Sequence, residues 1–391
     1  MTAPPRPAAA SASAPGPGAS RPDADRPDTS RPGTARFSPA RLAWLRSPVV
    51  LGVPAAAIAA GVAVLLVIGS GATPAEAGQA LADGMFGTDY AIGVSFNGVA
   101  VLMLIAVGFS VAHRVGLVNV GGEGQLCLGA LAGTAVGVKL GDGLPRALGT
   151  PLVLAAGFAA GALWAGIAAY LKVRRGTSEV ITTLLLNFVG IGLVSLAVHE
   201  EALLRQPVTS SETLPQSEPV ASSGRLPLLD AATSPATIAI VVAVASALVV
   251  AVVLRHTATG LRLKAAGRSA PAARRAGLPV GRLEGGALAV AGGFAGLAGA
   301  VLVATAPYVL DEGLSSGYGF AGLVVGLLAR GSLTAVAAVA LLLGFLVSGG
   351  INLQIAAGVP ASTVQVAQSV LVVCIAGAMR WTAARPGGGA R

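Results

Sequence analysis

Four polar side chains, Asn119, Glu123, Gln125 and Asn187, stand in stretches that are otherwise apolar. Three of them fall in GLVNVGGEGQ, residues 116–125, together with four glycines, and the fourth in TSEVITTLLLNFVG, residues 177–190. A carboxylate and three amides supply the donors and acceptors that hydroxyl groups and base edges of a small polar solute require. A carboxylate at membrane depth is costly and survives where it faces protein or water. The four therefore read as lining a solute pathway or its gate. A second reading stays open: Glu123 satisfies backbone amides freed where Gly121 and Gly122 break a helix. Catalysis has no support. The chain carries no paired carboxylates for acid/base work, no GxxxxGKS or GxxxxGKT phosphate loop, no HExxH and no GxSxG. Cys127 and Cys374 sit in apolar runs without partners at metal-ligand spacing, and the three histidines are scattered. No metal and no cofactor are expected.

The elements that must position these groups are membrane helices. Of 391 residues 54% are hydrophobic and 11% charged, less than half the roughly 25% charged share of soluble domains. Many apolar runs reach the ~17–25 residues that cross a bilayer. The expectation is an all-α, polytopic transmembrane bundle of about ten membrane segments, with cores near 49–71, 91–111, 118–138, 151–171, 180–198, 235–254, 283–305, 318–329, 332–348 and 363–379. The eighth is too short to span and reads as a half-helix shielded by protein. Residues 1–47, rich in Pro, Ala, Ser, Arg and Asp, read as a disordered cytoplasmic tail. Residues 48–380 form the membrane domain, and 381–391 a short second tail.

Orientation follows from the basic residues. With the N-terminus inside, only Lys139, Arg146, Arg205 and Arg225 of the 26 Lys and Arg fall in outer loops. This places both termini in the cytoplasm. The net charge of +9 then reflects inner loops, and nucleic-acid binding is not expected. The same topology puts Glu123 nearer the inner face than the midplane. The longest outer loop, 200–234, is rich in Pro, Ser and Glu and offers a docking surface. Small-xxx-small patterns such as GALAG (129–133), GFAAG (157–161) and GLVVG (322–326) predict close helix packing.

The inner loop 255–282 carries a well-marked short helix. Ser269 stands at its N-cap, Pro271 lies in its first turn, Gly277 follows its end and Pro279 stops it. Arg274 and Arg275 would face one side, and Ala272, Ala273 and Ala276 the others. So short a helix is marginal alone and makes sense lying in a partner's groove. In LKVRRGTSEV, Thr177 or Ser178 can cap the next span, with Glu179 in its first turn.

GLVNVGGEGQLCLGALAG, TSEVITTLLLNFVG, GLRLKAAGRSAPAARRAGLP (260–279) and GYGFAGLVVGLLARGSL (317–333) occur in that order. As a set they resemble the membrane permease subunits of bacterial ABC importers for simple sugars, nucleosides and branched-chain amino acids, most like the nucleoside branch. The resemblance spans about residues 50–380. It implies a permease in the bacterial cytoplasmic membrane that imports a nucleoside or simple sugar. It also implies separate ATP-binding subunits docked on a coupling helix (Ser269, Ala272, Ala273, Arg274, Arg275, Gly277), a second permease subunit, identical or different, and an extracytoplasmic solute-binding lipoprotein. ATP is then used by the partners, not by this chain. Arg268 and Ser269 depart from the Asn that commonly follows the loop's glycine in that family. The rival reading is a proton-coupled secondary transporter with Glu123 as proton carrier. That class often carries a repeat-related second site, and no matching carboxylate appears in the second half.

Overall fold

The computed structural model describes residues 48–139, 143–209, 213–230, 233–367, 369–370 and 373–374. The two expected tails, part of the outer loop and much of the tenth segment lie outside them. The described chain is helical, with three isolated bridges in place of a sheet. In order come α1 (Pro48–Gly69), α2 (Pro74–Ala82) running into a π-helical turn (Asp83–Gly87), α3 (Asp89–Arg114), α4 (Gly122–Lys139), α5 (Arg146–Arg175) and α6 (Glu179–His199). They are followed by α7 (Ala239–His256), α8 (Ala258–Arg268), α9 (Ala270–Arg275), α10 (Val280–Val303), α11 (Tyr318–Leu328) and α12 (Leu333–Ala357).

Six of these helices, α3, α5, α6, α7, α10 and α12, are long and apolar enough to cross a bilayer. A seventh crossing arises if α1 and α2, bent by 113° at their junction, count as one broken span. The expected third segment is α4, shortened to 18 residues and beginning at Gly122. It is absent from the apolar six because its first turn is GEGQ, and a helix wrapped by protein need not present lipid-compatible side chains all round. The expected half-helix is α11, eleven residues long. Residues 74–87 fall between the first two expected segments and are helical, although PAEAGQALADGMFG is rich in Ala and Gly and poor in large apolar residues. Thr73 caps it through a capping box with Glu76. Its end is tied to α12 by Asn352 Nδ2 donating to Ala80 O (2.7 Å) and Ser348 Oγ to Gly84 O (3.0 Å).

α3 is the axis of the bundle, buried without interruption from Gly98 to Ala112. α7, α10, α11 and α12 pack around it. α4, α5 and α10 form a second layer whose backbones meet through glycine. A Cβ on Gly129 would strike Gly296, one on Gly161 would lie 2.7 Å from Gly296 Cα, and one on Gly157 2.8 Å from Gly296 O. Such approach replaces the hydrophobic drive that lipid removes. α5, α6 and α7 turn Leu163, Phe188 and Leu248 outward, as lipid-facing helices do.

The basic helix ends gather on one face. Arg114 at the end of α3 donates to Leu254 O at the end of α7 (3.2 Å). Gly281 of α10 abuts Val173 of α5, and Gly331 abuts His113. Lys172 pairs with Glu179 across the α5–α6 turn at 2.7 Å. Ser178 stands at the N-cap of α6, but its side chain makes no capping bond. At the opposite helix ends the segment between α6 and α7 packs on the bundle: Ala221 N–H donates to Gly137 O (3.1 Å), and Asn97 binds Pro235 and Thr237.

Candidate functional site

The four polar residues singled out above come together. Asn119 is 6% exposed, Glu123 3%, Gln125 1% and Asn187 1%. The chain leaves α3 at Arg114, runs non-helically through Leu117–Val120 and starts α4 at Gly122. Asn119 Oδ1 accepts from Gly121 N–H (3.1 Å) and from Gln125 Nε2 (3.0 Å), while Asn119 Nδ2 donates to Gln125 Oε1 (2.8 Å). Asn187, arriving on α6, accepts from Gly124 N–H (2.9 Å) and donates to Val120 O (2.9 Å). These amides partner the backbone groups that the break at Gly121 and Gly122 leaves outside a helix. No side chain fits between: a Cβ on Gly124 would lie 2.8 Å from Asn187 Cα.

Glu123 serves another helix rather than the break at Gly121 and Gly122. Its carboxylate reaches α11: Oε1 accepts from Gly317 N–H (3.1 Å), and Oε2 from Gly319 N–H (2.7 Å) and Phe320 N–H (3.3 Å). It is the N-terminal cap of the half-helix, supplied by another helix. A helix start carries partial positive charge and unpaired N–H groups, so a buried carboxylate there is stabilised on both counts. The amides freed by the glycine pair are served by Asn119 and Asn187, not by Glu123.

The site also lies deeper than topology alone suggested. Gly292, at the middle of α10, sits where a Cβ would be 3.2 Å from Gln125 Cδ. That is about 18 Å from the Val280 end at 1.5 Å per residue. The stretch Leu117–Val120 is not helical and α4 begins only at Gly122, so the site stands level with the middle of α10 instead of near the basic face.

The second predicted feature is a helix at the expected place. α9 is capped by Ser269 Oγ accepting from Ala272 N–H (3.3 Å), with Pro271 in its first turn. It closes through Gly277 N–H to Arg274 O (3.0 Å) and Leu278 N–H to Ala273 O (3.0 Å), with Gly277 at φ 79°. Ala273 is buried, while Ala272, Arg274, Arg275 and Gly277 are exposed. The sequence reading missed α8, an amphipathic helix in a charged loop, whose Leu263 and Ala266 face inward. Gly267 at its end lies against Val115, where a Cβ would be 3.0 Å from Val115 Cα. Thus α9 joins α8, α8 rests on the end of α3, and the chain from there leads directly to the Glu123 site.

Residues 93–376 match the family model described as the branched-chain amino acid transport system / permease component. This chain belongs to that permease family. Over 334 residues, 82% of the chain and 90% of the relative, the permease is 31% identical to the guanosine ABC transporter permease protein NupP of Bacillus subtilis. It is also 31% identical, over 70% of its length and 72% of the relative's, to the glucose ABC transporter permease protein TsgB13 of Haloferax volcanii. With the nucleoside ABC transporter permease protein NupB of Lactococcus lactis it shares 28% identity over 74% and 80%. No solved structure matches. The permease is therefore a multi-pass membrane subunit of an ABC transporter and not itself an enzyme. Its family implies ATP-binding and substrate-binding components beside it.

Proposed function

We propose that this permease forms half of an ATP-driven import pathway for a nucleoside or simple sugar in the bacterial cytoplasmic membrane, with ten membrane segments and both termini in the cytoplasm. The relatives named for guanosine, nucleosides and glucose support that solute class. Cytoplasmic ATP-binding subunits dock on α9, a second permease subunit completes the pathway, and an extracytoplasmic lipoprotein delivers the solute. The observation that carries this reading is mechanical. α9 offers Arg274 and Arg275 on an exposed, self-capped turn, and it bears through α8 on the end of α3. Movement of the docked ATPases would tilt α3 and work the break at Gly121 and Gly122, a rigid-body switch between two packed arrangements.

In this scheme Asn119, Glu123, Gln125 and Asn187 act as gate residues. They hold the joint between α4, α6 and α11 closed in one arrangement and exchange partners in the other. The rival proton-carrier role has less room, because both Glu123 oxygens already accept backbone N–H groups. The test is uptake by the complete complex in vesicles. ATP with no proton gradient should drive accumulation of a labelled nucleoside or sugar. Accumulation on a proton gradient with ATP absent would overturn the proposal.

A further inference from the structure

Between α10 and α11 the chain runs from Ala304 to Gly317 outside regular helix, and its two ends are fixed to different parts of the molecule. The outer loop clamps the first half. Leu226 N–H donates to Ala304 O (2.8 Å) and Val220 N–H to Tyr308 O (2.8 Å). Ser217 binds twice: its N–H donates to Leu310 O (2.8 Å), and its Oγ accepts from Leu310 N–H (2.9 Å). The Arg225 guanidinium lies 4.4 Å from the centre of the Tyr308 ring. At the other end Gly317 hangs on Glu123.

The segment between has little slack. Leu310 is fully buried in a cluster with Cys127, Ala130, Val194 and Val303. Below it, Ser316 N–H donates to Gly313 O (2.9 Å) and Tyr318 N–H to Ser315 O (2.7 Å). Tyr308 and Ser316 sit at φ 67° and 41°, strained conformations that persist only where the surroundings over-determine them. Seven residues of α4 separate Ala130, beside Leu310, from Glu123. The clamp and the cap are therefore about 10 Å apart along that helix.

We infer that the segment Ala304–Gly317 is a strap that makes Ser217 a positioning residue for the Glu123 gate. A displacement of the outer loop moves Leu310, and the strap passes it to the first turn of α11 and its cap. The inference rests on the gate role proposed above: a shift of Ser217 biases the gate from the face opposite α9.

Hydrogen–deuterium exchange on the intact importer, without solute or nucleotide, reads this directly at Gly317, Gly319 and Phe320. Ser217→Ala is expected to speed their exchange by about fivefold or more, since loss of a distant restraint lowers the cost of local opening. Ser217→Thr, which keeps the hydroxyl, should restore the wild-type rate, and residues 270–278 should not change in either variant. Faster exchange at Leu310 with wild-type exchange at 317–320 overturns the inference. Should Ser217→Ala fail to assemble, Arg225→Gln serves: faster exchange at 317–320 supports the strap, and an unchanged rate there overturns it. Absence of ATP-driven uptake in the wild type would instead sink the transport reading and leave the exchange result standing.

Discussion

Around Glu123 the polar groups are partnered across helices remote in sequence, whereas α9 closes its hydrogen bonds between Ser269 and Leu278. The Glu123 site holds three helices together at half depth with four side chains almost sealed from solvent. α9 shows its arginines to solvent and buries Ala273 alone of its own residues. In the first region, removing a group leaves buried partners unpaired, which is expensive. In the second, removal leaves water to take its place. The difference separates a buried joint between helices from an exposed helix that holds its own ends.

The contrast can be broken by substitution, judged by thermal unfolding of the purified protein in detergent. Glu123→Ala should have the largest effect. It orphans three N–H groups at half depth, at ~1–3 kcal/mol for each buried donor, and folded protein should fail to accumulate. Glu123→Gln keeps an acceptor oxygen and should lie between that variant and the wild type. Asn187→Leu strips partners from Gly124 N–H and Val120 O and should cost about 2–4 kcal/mol. Ser269→Ala removes a solvent-exposed cap and should cost about 1 kcal/mol, most of it local to α9. Arg274→Glu with Arg275→Glu should sit within about 0.5 kcal/mol of wild type, as surface changes usually do. Near-equal stability losses at Glu123 and Arg274/Arg275 would erase the distinction.

How much of this was legible in the sequence depends on where each partner lies. α9 was readable to within a residue, because Ser269, Pro271 and Gly277 act on their own neighbours. The half-length of α11 and the close packing at Gly129, Gly157 and Gly161 were readable from run length and spacing. Asn119, Gln125 and Asn187 announced themselves as polar groups among apolar ones. The role of Glu123 was not readable, because its partner Gly317 lies 194 residues further along, and no periodicity encodes a contact of that range. α2 and α8 were missed for a local reason: at nine and eleven residues they are far shorter than a membrane span, and they lie in polar stretches between apolar runs. Depth was misjudged because the expected third segment starts at residue 118, whereas α4 starts at Gly122 after a non-helical stretch.

The most direct test of the division between joint and drive is ATP-driven uptake by the complex carrying Arg274→Glu and Arg275→Glu, prepared at wild-type thermal stability. The structure predicts that uptake falls at least about tenfold, a loss of roughly 1.4 kcal/mol or more in coupling, while the protein melts where the wild type does. Wild-type uptake from that protein would show that α9 is not where the pathway is driven.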